Sequence, residues 1–551
     1  MVSTRVTPNA TPVPVEIVGS STFGRFSKIS PARTYNMYIS QSGDAKENWL
    51  ISVPGYQKIF TLSSNGFGRG LFNSTKGDFL LIVVGDSVYT LRLPLFTVSF
   101  IGTLNTNHGE VYIAENLAKQ ICIVDGSFAY IYNYGTNTFA VFSDSKTMSG
   151  ELIPNYVEYH NTYFLFGNAN TGADGSNWYI YATGTGTTIT YTQTLAIQTK
   201  SDFARAVKRI PAHGNNVLVM GEVVSEIWTQ IAGTQIYTRN PSINIDYGCV
   251  SVATIAEGDN YIVWLAQNQS EQPVIMYYDG ANPTRISSDG IDYLLSTIQF
   301  PAQSTAMLYR VDGHLFYQLT FYNSADNLSL LYDFNTGKFF DISDQYLDYH
   351  PATNIVYFNG TQYFVSLNNS GFYEFNSNIT YIYEGGTFPP PTNPDPSQVF
   401  DIQRIRVTPS IREANSTRFI ANSLVLTLEQ GQDTNYNGPQ KIDYIVTEQS
   451  NTFPYDYIIT EQGLYLVDED STELVNGLPA ATYQPRIDLA ISKDAGVSWG
   501  PYVPRGLHPQ GYRKNILHWE SMGVANDLCC KFRFWMTSRI VVNNAVMDVI
   551  S

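Results

Sequence analysis

Charge is scarce in this sequence. Lys, Arg, Asp and Glu make up 15% of its 551 residues, too few to coat the solvated faces of a mainly helical protein. Basic residues are the scarcer kind: 32 Lys and Arg stand against 48 Asp and Glu, a net charge of −16. A body that acidic is not a sequence-reading nucleic-acid binder, which needs a dense basic face, although DNA can pass nearby without adhering. Cysteine is limited to Cys122, Cys249, Cys529 and Cys530. None has metal-ligand spacing, and adjacent Cys529 and Cys530 would point to opposite faces of a strand, so four reduced thiols are expected. The seven histidines (His108, His160, His213, His314, His350, His508 and His518) are too dispersed for a metal motif. No apolar run is long enough for a membrane helix. The nearest, FLLIVVGDSVYTL, is broken by Gly85 and Asp86 and reads as a hairpin. The opening MVSTRVTPNATPVPVEIVGSS has no apolar core, so a soluble chain without a secretory leader is expected. Phosphate loops, dinucleotide turns, nucleophile elbows and HExxH pairs are missing. GFGRGLF at 66–72 is Gly-rich but has no Lys-Ser/Thr after it and reads as a turn. No catalytic residue, cofactor or metal site is expected.

What the chain does have is aromatic side chains (14%, with 39 Tyr and 30 Phe) and 41 Gly. Tyr, Phe, Val, Ile and Thr favour strands, and Gly and Asn favour turns, which is an all-β composition. A unit recurs through the first 380 residues: a short apolar strand, a bend of Gly, Asp or Asn, then a Tyr- or Trp-rich strand. It occurs at 78–91, 119–142, 161–182, 215–228, 260–287, 313–343 and 354–376. The bends VGDS, VDGS, FNGT and YNYGTN carry hairpin chemistry. Spacing of roughly 40–50 residues is that of propeller blades. One blade cannot bury both faces alone, whereas radial stacking buries them and leaves only short edges. The expected fold is a β-propeller of six or seven blades over 1–384 with an additional C-terminal β-rich domain; a chain of β-sandwiches is the rival.

GGTFPPPTNPDPSQ at 385–398 reads as a stiff Pro-rich linker. The C-terminal β domain is expected over 399–551. Within it, 443–477 repeats YIVTEQ as YIITEQ and reads as an inserted acidic hairpin or tip. Residues 481–551 hold eight Lys and Arg against five Asp and Glu, net +3, so the other 480 residues carry −19. Their cations, with a tryptophan among them, form a candidate docking patch: Arg505, Arg513, Lys514, Trp519, Lys531, Arg533 and Arg539. Such a patch suits an acidic partner or the acidic face of a neighbouring copy; a set of ordinary solvated strand faces is the plainer reading. SKDAGVSWG at 492–500 fits the Asp-box pattern of sialidases and other propeller glycosidases. Ser492, Asp494, Gly496, Ser498 and Trp499 suit a braced turn, with the carboxylate accepting N–H groups and Trp499 packed beneath. Glycan cleavage requires two carboxylates facing one bond. Asp341, Asp344, Asp348 and Glu374 are candidates, but nothing in the sequence selects a pair. A carbohydrate-binding or glycan-cleaving propeller is the alternative reading.

The C-terminal run then becomes informative. Asp494, Gly496, Trp499 and Gly500, followed by Arg513, Trp519 and Gly523 and by the strand Phe532 to Trp535, resemble the end of the packaged-DNA stabilisation proteins of short-tailed bacteriophages, also called tail hub or nozzle proteins. Upstream, RTYNMYIS with VPGYQKIF, GNNVLVMGEVVSEIW with Glu226 and Trp228, and YYDGANPTRISSDGIDYLL are similar to segments of that family in the same order. The insertion 443–477 departs from it. The resemblance implies a structural virion protein of the phage tail, made in the host cytoplasm and not an enzyme. It would form a homohexameric ring below the portal and head-to-tail adaptor, prolong the DNA channel and, with a plug or needle and beside tail fibres or tailspikes, retain the genome until ejection. An acidic channel wall would keep DNA from sticking, and a Tyr-rich surface would hold copies together.

Overall fold

A computed structural model describes residues 11–24, 31–41, 48–62, 66–183, 188–386, 398–412, 418–430, 486–507, 515–535 and 539–550. Seven β-sheets are arranged as blades around an axis. Their innermost strands begin at residues 68, 112, 154, 206, 248, 304 and 352, and we number the blades 1 to 7 in that order. Each of the seven sequence units lies in one blade and supplies at least its second and third strands. In blade 2, Gln120–Val124 and Ala129–Asn133 are antiparallel, with Val124 opposite Ala129. Asp125 closes the bend by accepting the Ser127 and Phe128 N–H groups, and Gly126 takes φ +85°, a conformation that costs a side-chain-bearing residue.

The wheel is closed by the chain's beginning. Gly55–Thr61 pairs antiparallel with Gly371–Asn376 as the fourth strand of blade 7, and blade 7 packs on blade 1 through Ala352–Phe358 and Gly68–Ser74. This contact corrects the reading of GFGRGLF as a turn, because Gly68–Ser74 is the innermost strand of blade 1. A Cβ on Gly68 would lie 2.4 Å from Val365 Cβ, and one on Gly70 2.3 Å from Val111 Cγ2. The glycines therefore serve close packing between blades. Arg69 between them is fully buried and donates to the carbonyls of Gly85, Thr106, His108 and Gly109.

The sheet of blade 6 continues outward. Arg33–Tyr35 runs parallel to Lys338–Asp341, and Arg404–Val407, Cys529–Trp535, Arg486–Ser492 and Val503–Gly506 follow. A second sheet of Met37–Gln41, Asn48–Ser52, Ile540–Ile550, Phe419–Gln430 and Asn515–Ala525, with Thr11–Val15 paired to Ile540–Ile550, completes a sandwich. Its core includes Leu424, Leu426, Leu489, Trp519, Phe532 and Val542. Residues 11–52, expected in the propeller body, thus pair largely with C-terminal strands. Burial of alternate residues on Phe419–Gln430 and Ile540–Ile550 has no satisfactory partner within the wheel, and only this distant pairing covers it. Arg406 locks the arrangement: fully buried, it donates to the carbonyls of Glu16, Ile17 and Ser20 and to Thr34 Oγ1.

The ends of the expected Pro-rich linker meet. Tyr381–Tyr383 pairs with Val399–Asp401, and Glu384 N–H donates to Gln398 O at 2.9 Å, so the strands on either side of 385–398 lie side by side. Residues 387–397 and the expected tip 443–477 lie outside the described residues.

Candidate functional site

Three places could carry function: the axial channel, the Asp-box turn and the cationic C-terminal sheet. The innermost strands leave two chambers on the axis. A chamber of about 650 Å³ opens at the strands' C-terminal ends, lined by residues including Glu115, Glu158, Lys208, Arg209, Glu257 and Tyr357. One of about 580 Å³ opens at the other end among Glu110, Asn155, Arg205 and Tyr322. Tyr112 lines both chambers, and its ring lies 4.8 Å from that of Tyr156. Four of the charged side chains in the larger chamber form a neutral cluster. Lys208 Nζ lies 2.8 Å from Glu158 and 2.7 Å from Glu257, and Arg209 Nη2 lies 3.0 Å from Glu257. Burial alone would lower the Lys208 pKa, but the two carboxylates outweigh it and raise it well above the usual range. With its cations and carboxylates matched, the lattice braces blades 3, 4 and 5 against one another. In the other chamber, burial pushes the Glu110 carboxyl up to about 8, while hydrogen bonds from Thr305 and Thr353 pull the other way. These channel residues escaped sequence reading; the signal was the paired charge Lys208-Arg209 ending an apolar strand in a charge-poor chain.

The Asp box is a braced turn. Asp494 Oδ1 accepts Ser492 Oγ at 2.6 Å and the Ser498 N–H at 2.9 Å. These bonds, with Ser498 Oγ, lower its pKa to about 2. Gly496 takes φ +88°, and its backbone abuts Pro31 and the Trp499 ring. Lys531 Nζ sits 5.7 Å from the centre of the Trp499 ring. The carboxylate is spent on the turn. The acids considered for paired catalysis are likewise engaged. Asp341 binds Arg33 and Ser21, Asp344 accepts the Tyr346 and Asp348 N–H groups, Asp348 accepts from Asn327, and Glu374 accepts from Gln57. Among the described residues no group of three or more His, Cys, Asp or Glu is disposed to hold a metal, and no helix is long and apolar enough to cross a membrane. All four cysteines are free and buried.

The docking patch does not survive as one cluster. Trp519 is in the sandwich core, its indole N–H donating to Val503 O at 3.0 Å. Arg539 pairs with Asp312 of blade 6 at 2.7 Å. Arg505 lies on the edge strand and donates to His518 O. Arg513 and Lys514 lie outside the described residues. Lys531 and Arg533, two positions apart on Cys529–Trp535, do share the half-exposed outer face. Arg533 lies between the rings of Tyr502 (4.7 Å) and Trp535 (4.9 Å). Cross-strand register adds residues that linear counting missed: Tyr35 with Ile405 and Arg533 in one row, Arg33 with Val407 and Lys531 in the next, and Arg486 opposite Trp535. Arg33 lies 4.6 Å from the Phe23 ring and 5.5 Å from Tyr35. Cations lodged on aromatic rings therefore cover the outside of this sheet.

The fold defines a seven-bladed β-propeller carrying a β-sandwich on blade 6. The sequence of residues 34–380 matches the family described as bacteriophage P22 Gp10, β-propeller, and the chain belongs to that family. The family is one of phage tail-associated propellers, so the chain is a structural component of a phage particle. Similar solved structures include the WD40 domain of Neurospora crassa Pan2, at 8% identity and TM-score 0.38, covering 59% of this chain and 96% of that one. A chain of the mitotic checkpoint complex is similar at 12% identity and TM-score 0.38, covering 59% of this chain and 95% of that one. No curated protein matches the sequence.

Proposed function

We propose that this chain is a hub or nozzle subunit of a phage tail. Six copies form a ring below the portal and adaptor, prolong the DNA exit path and help retain the packaged genome until ejection. The carrying observation is membership of the phage propeller family across residues 34–380. Two features support the reading. The axial channel narrows at Tyr112 and Tyr156 and is crossed by a balanced ion lattice, so a DNA duplex has no passage through the propeller itself and the duct belongs between copies. The net charge of −16 disfavours adhesion of phosphates to its wall. Fibres or tailspikes and a plug or needle are the further partners of such a ring. No step of bond cleavage belongs to this role, and the chain acts in the virion after synthesis in the host cytoplasm.

The test is genome retention. Particles assembled without this chain are expected to fill with DNA and then lose it to added nuclease, with retention restored by the purified protein. Particles that hold their DNA equally well without the chain would remove the retention role.

A further inference from the structure

We infer that the cation-and-ring face beside blade 6 is one half of a head-to-tail contact between copies of this chain, and that the other half is the apolar rim of blades 1 and 2. This rests on the ring reading above and names the surfaces that build it.

The receiving half has two parts. One is the outer sheet face with Arg33, Arg486, Lys531 and Arg533, each lodged against an aromatic ring. The other adjoins it: a cavity of about 430 Å³ between the Asp-box turn, the helix Asp289–Thr297 and residues 22–24, 31 and 33, with Phe23, Pro31, Leu294 and Val497 among its walls. An apolar hollow beside a cationic sheet face fits a partner that brings an apolar anchor. Lys531 and Arg533 make this face cationic in a chain of net charge −16, which favours its approach to a second copy.

The same chain also supplies the anchors. On the outermost strand of blade 1 and the bend before it, Leu95 is 85% exposed and Phe100 59%. Val98, Val141 on blade 2 and Met148 on the short helix Ser145–Met148 that follows it are exposed as well. The corresponding strand of blade 3, TYTQTLA, is largely polar. Outermost strands expose unpaired backbone groups and normally carry charge or bulges against association; an apolar one on a soluble wheel marks an interface. Because the two halves differ, the contact is heterologous and closes into a ring when the rotation permits. Blades 1 and 2 stand two and three positions round the seven-bladed wheel from blade 6. That separation is about a third of a turn, which is also the angle between a subunit's two neighbours in a six-membered ring.

The experiment uses the full chain and reads particle mass by light scattering and particle shape by electron microscopy. Leu95→Asp with Phe100→Ser breaks one half, and Lys531→Glu with Arg533→Glu breaks the other. Val497→Asp, at the rim of the hollow, replaces the second pair if that pair unfolds. Each variant is expected to keep the wild-type circular dichroism spectrum and fall from ring to monomer mass. An equimolar mixture of the two, which retains one intact pair of surfaces, is expected to give heterodimers and nothing larger. Rings that persist in both variants overturn this contact and leave the ring standing. A wild-type chain that stays monomeric, with or without its adaptor, overturns both.

Discussion

Blades 1 to 5 and the region around blades 6 and 7 are built on opposite plans. In the first group every blade is made of strands consecutive in the chain, joined by short bends. In the second, residues 55–61 complete blade 7, and strands from 11–52 and 404–550 build the sandwich on blade 6. The local blades need little loop closure; the other region must bring the two ends of the chain together before its contacts are worth anything. Buried polar residues sit at the seams of both. Glu226 ties blade 4 to the segment leaving blade 3, accepting the Gln198 and Thr199 N–H groups and the Trp228 indole. Arg406 ties Glu16, Ile17, Ser20 and Thr34 to the C-terminal sheet. The difference predicts that the wheel's first five blades outlast its terminal lock.

The sharpest way to break that comparison is Arg406→Met. It strands several buried acceptors and is expected to cost about 3–5 kcal/mol. Hydrogen exchange should rise at residues 11–20 and 419–430 first, and uniform acceleration across blades 1 to 5 would contradict the contrast. Glu226→Gln, at the local seam, keeps the shape and loses part of the acceptor set. A cost of about 1–3 kcal/mol in urea unfolding is expected, felt in blades 3 and 4.

Acid sharpens the same contrast. His350 is buried among the rings of Tyr56 and Phe364 at the blade 7 closure, and burial lowers its pKa to about 3. The unfolded chain therefore binds a proton that the folded one refuses between about 6.5 and 3. Stability is full above about 6.5 and falls as pH drops, by about 1.4 kcal/mol per unit from this group. His350→Gln should flatten that slope in thermal melts taken between pH 7 and 4; an unchanged slope would clear His350 of the effect. The smallest change expected is Asp494→Ala. The turn loses its brace on an exposed edge, so the melting temperature should barely move, whereas a large drop would mean that the turn supports the contact with Pro31 more than its exposure suggests.

The division also governs how much the sequence could reveal. Hairpin bends such as Asp125-Gly126 and alternating strands lie within a few residues of each other, so all seven blades left a readable unit. Gly55–Thr61 looks like any other strand; nothing local says that it closes a wheel 310 residues later, against Gly371–Asn376. The same holds for Thr11–Val15 on Ile540–Ile550. Gly68 and Gly70 suggested a turn because a close approach of two blades is not a local property. The basic residues from Arg505 to Arg539 are neighbours along the chain, but a docking patch needs them on one face. Alternation sends Trp519 inward and leaves Lys531 and Arg533 outside, and only cross-strand register brings Arg33 and Arg486 beside them.

A cryo-electron-microscopy reconstruction of the phage tail tests the central claim most directly. The account predicts six copies of this chain around the DNA path, each propeller closed at Tyr112 and Tyr156, with DNA running between copies. A particle that lacks the chain, or DNA threading a propeller's own axis, would contradict it.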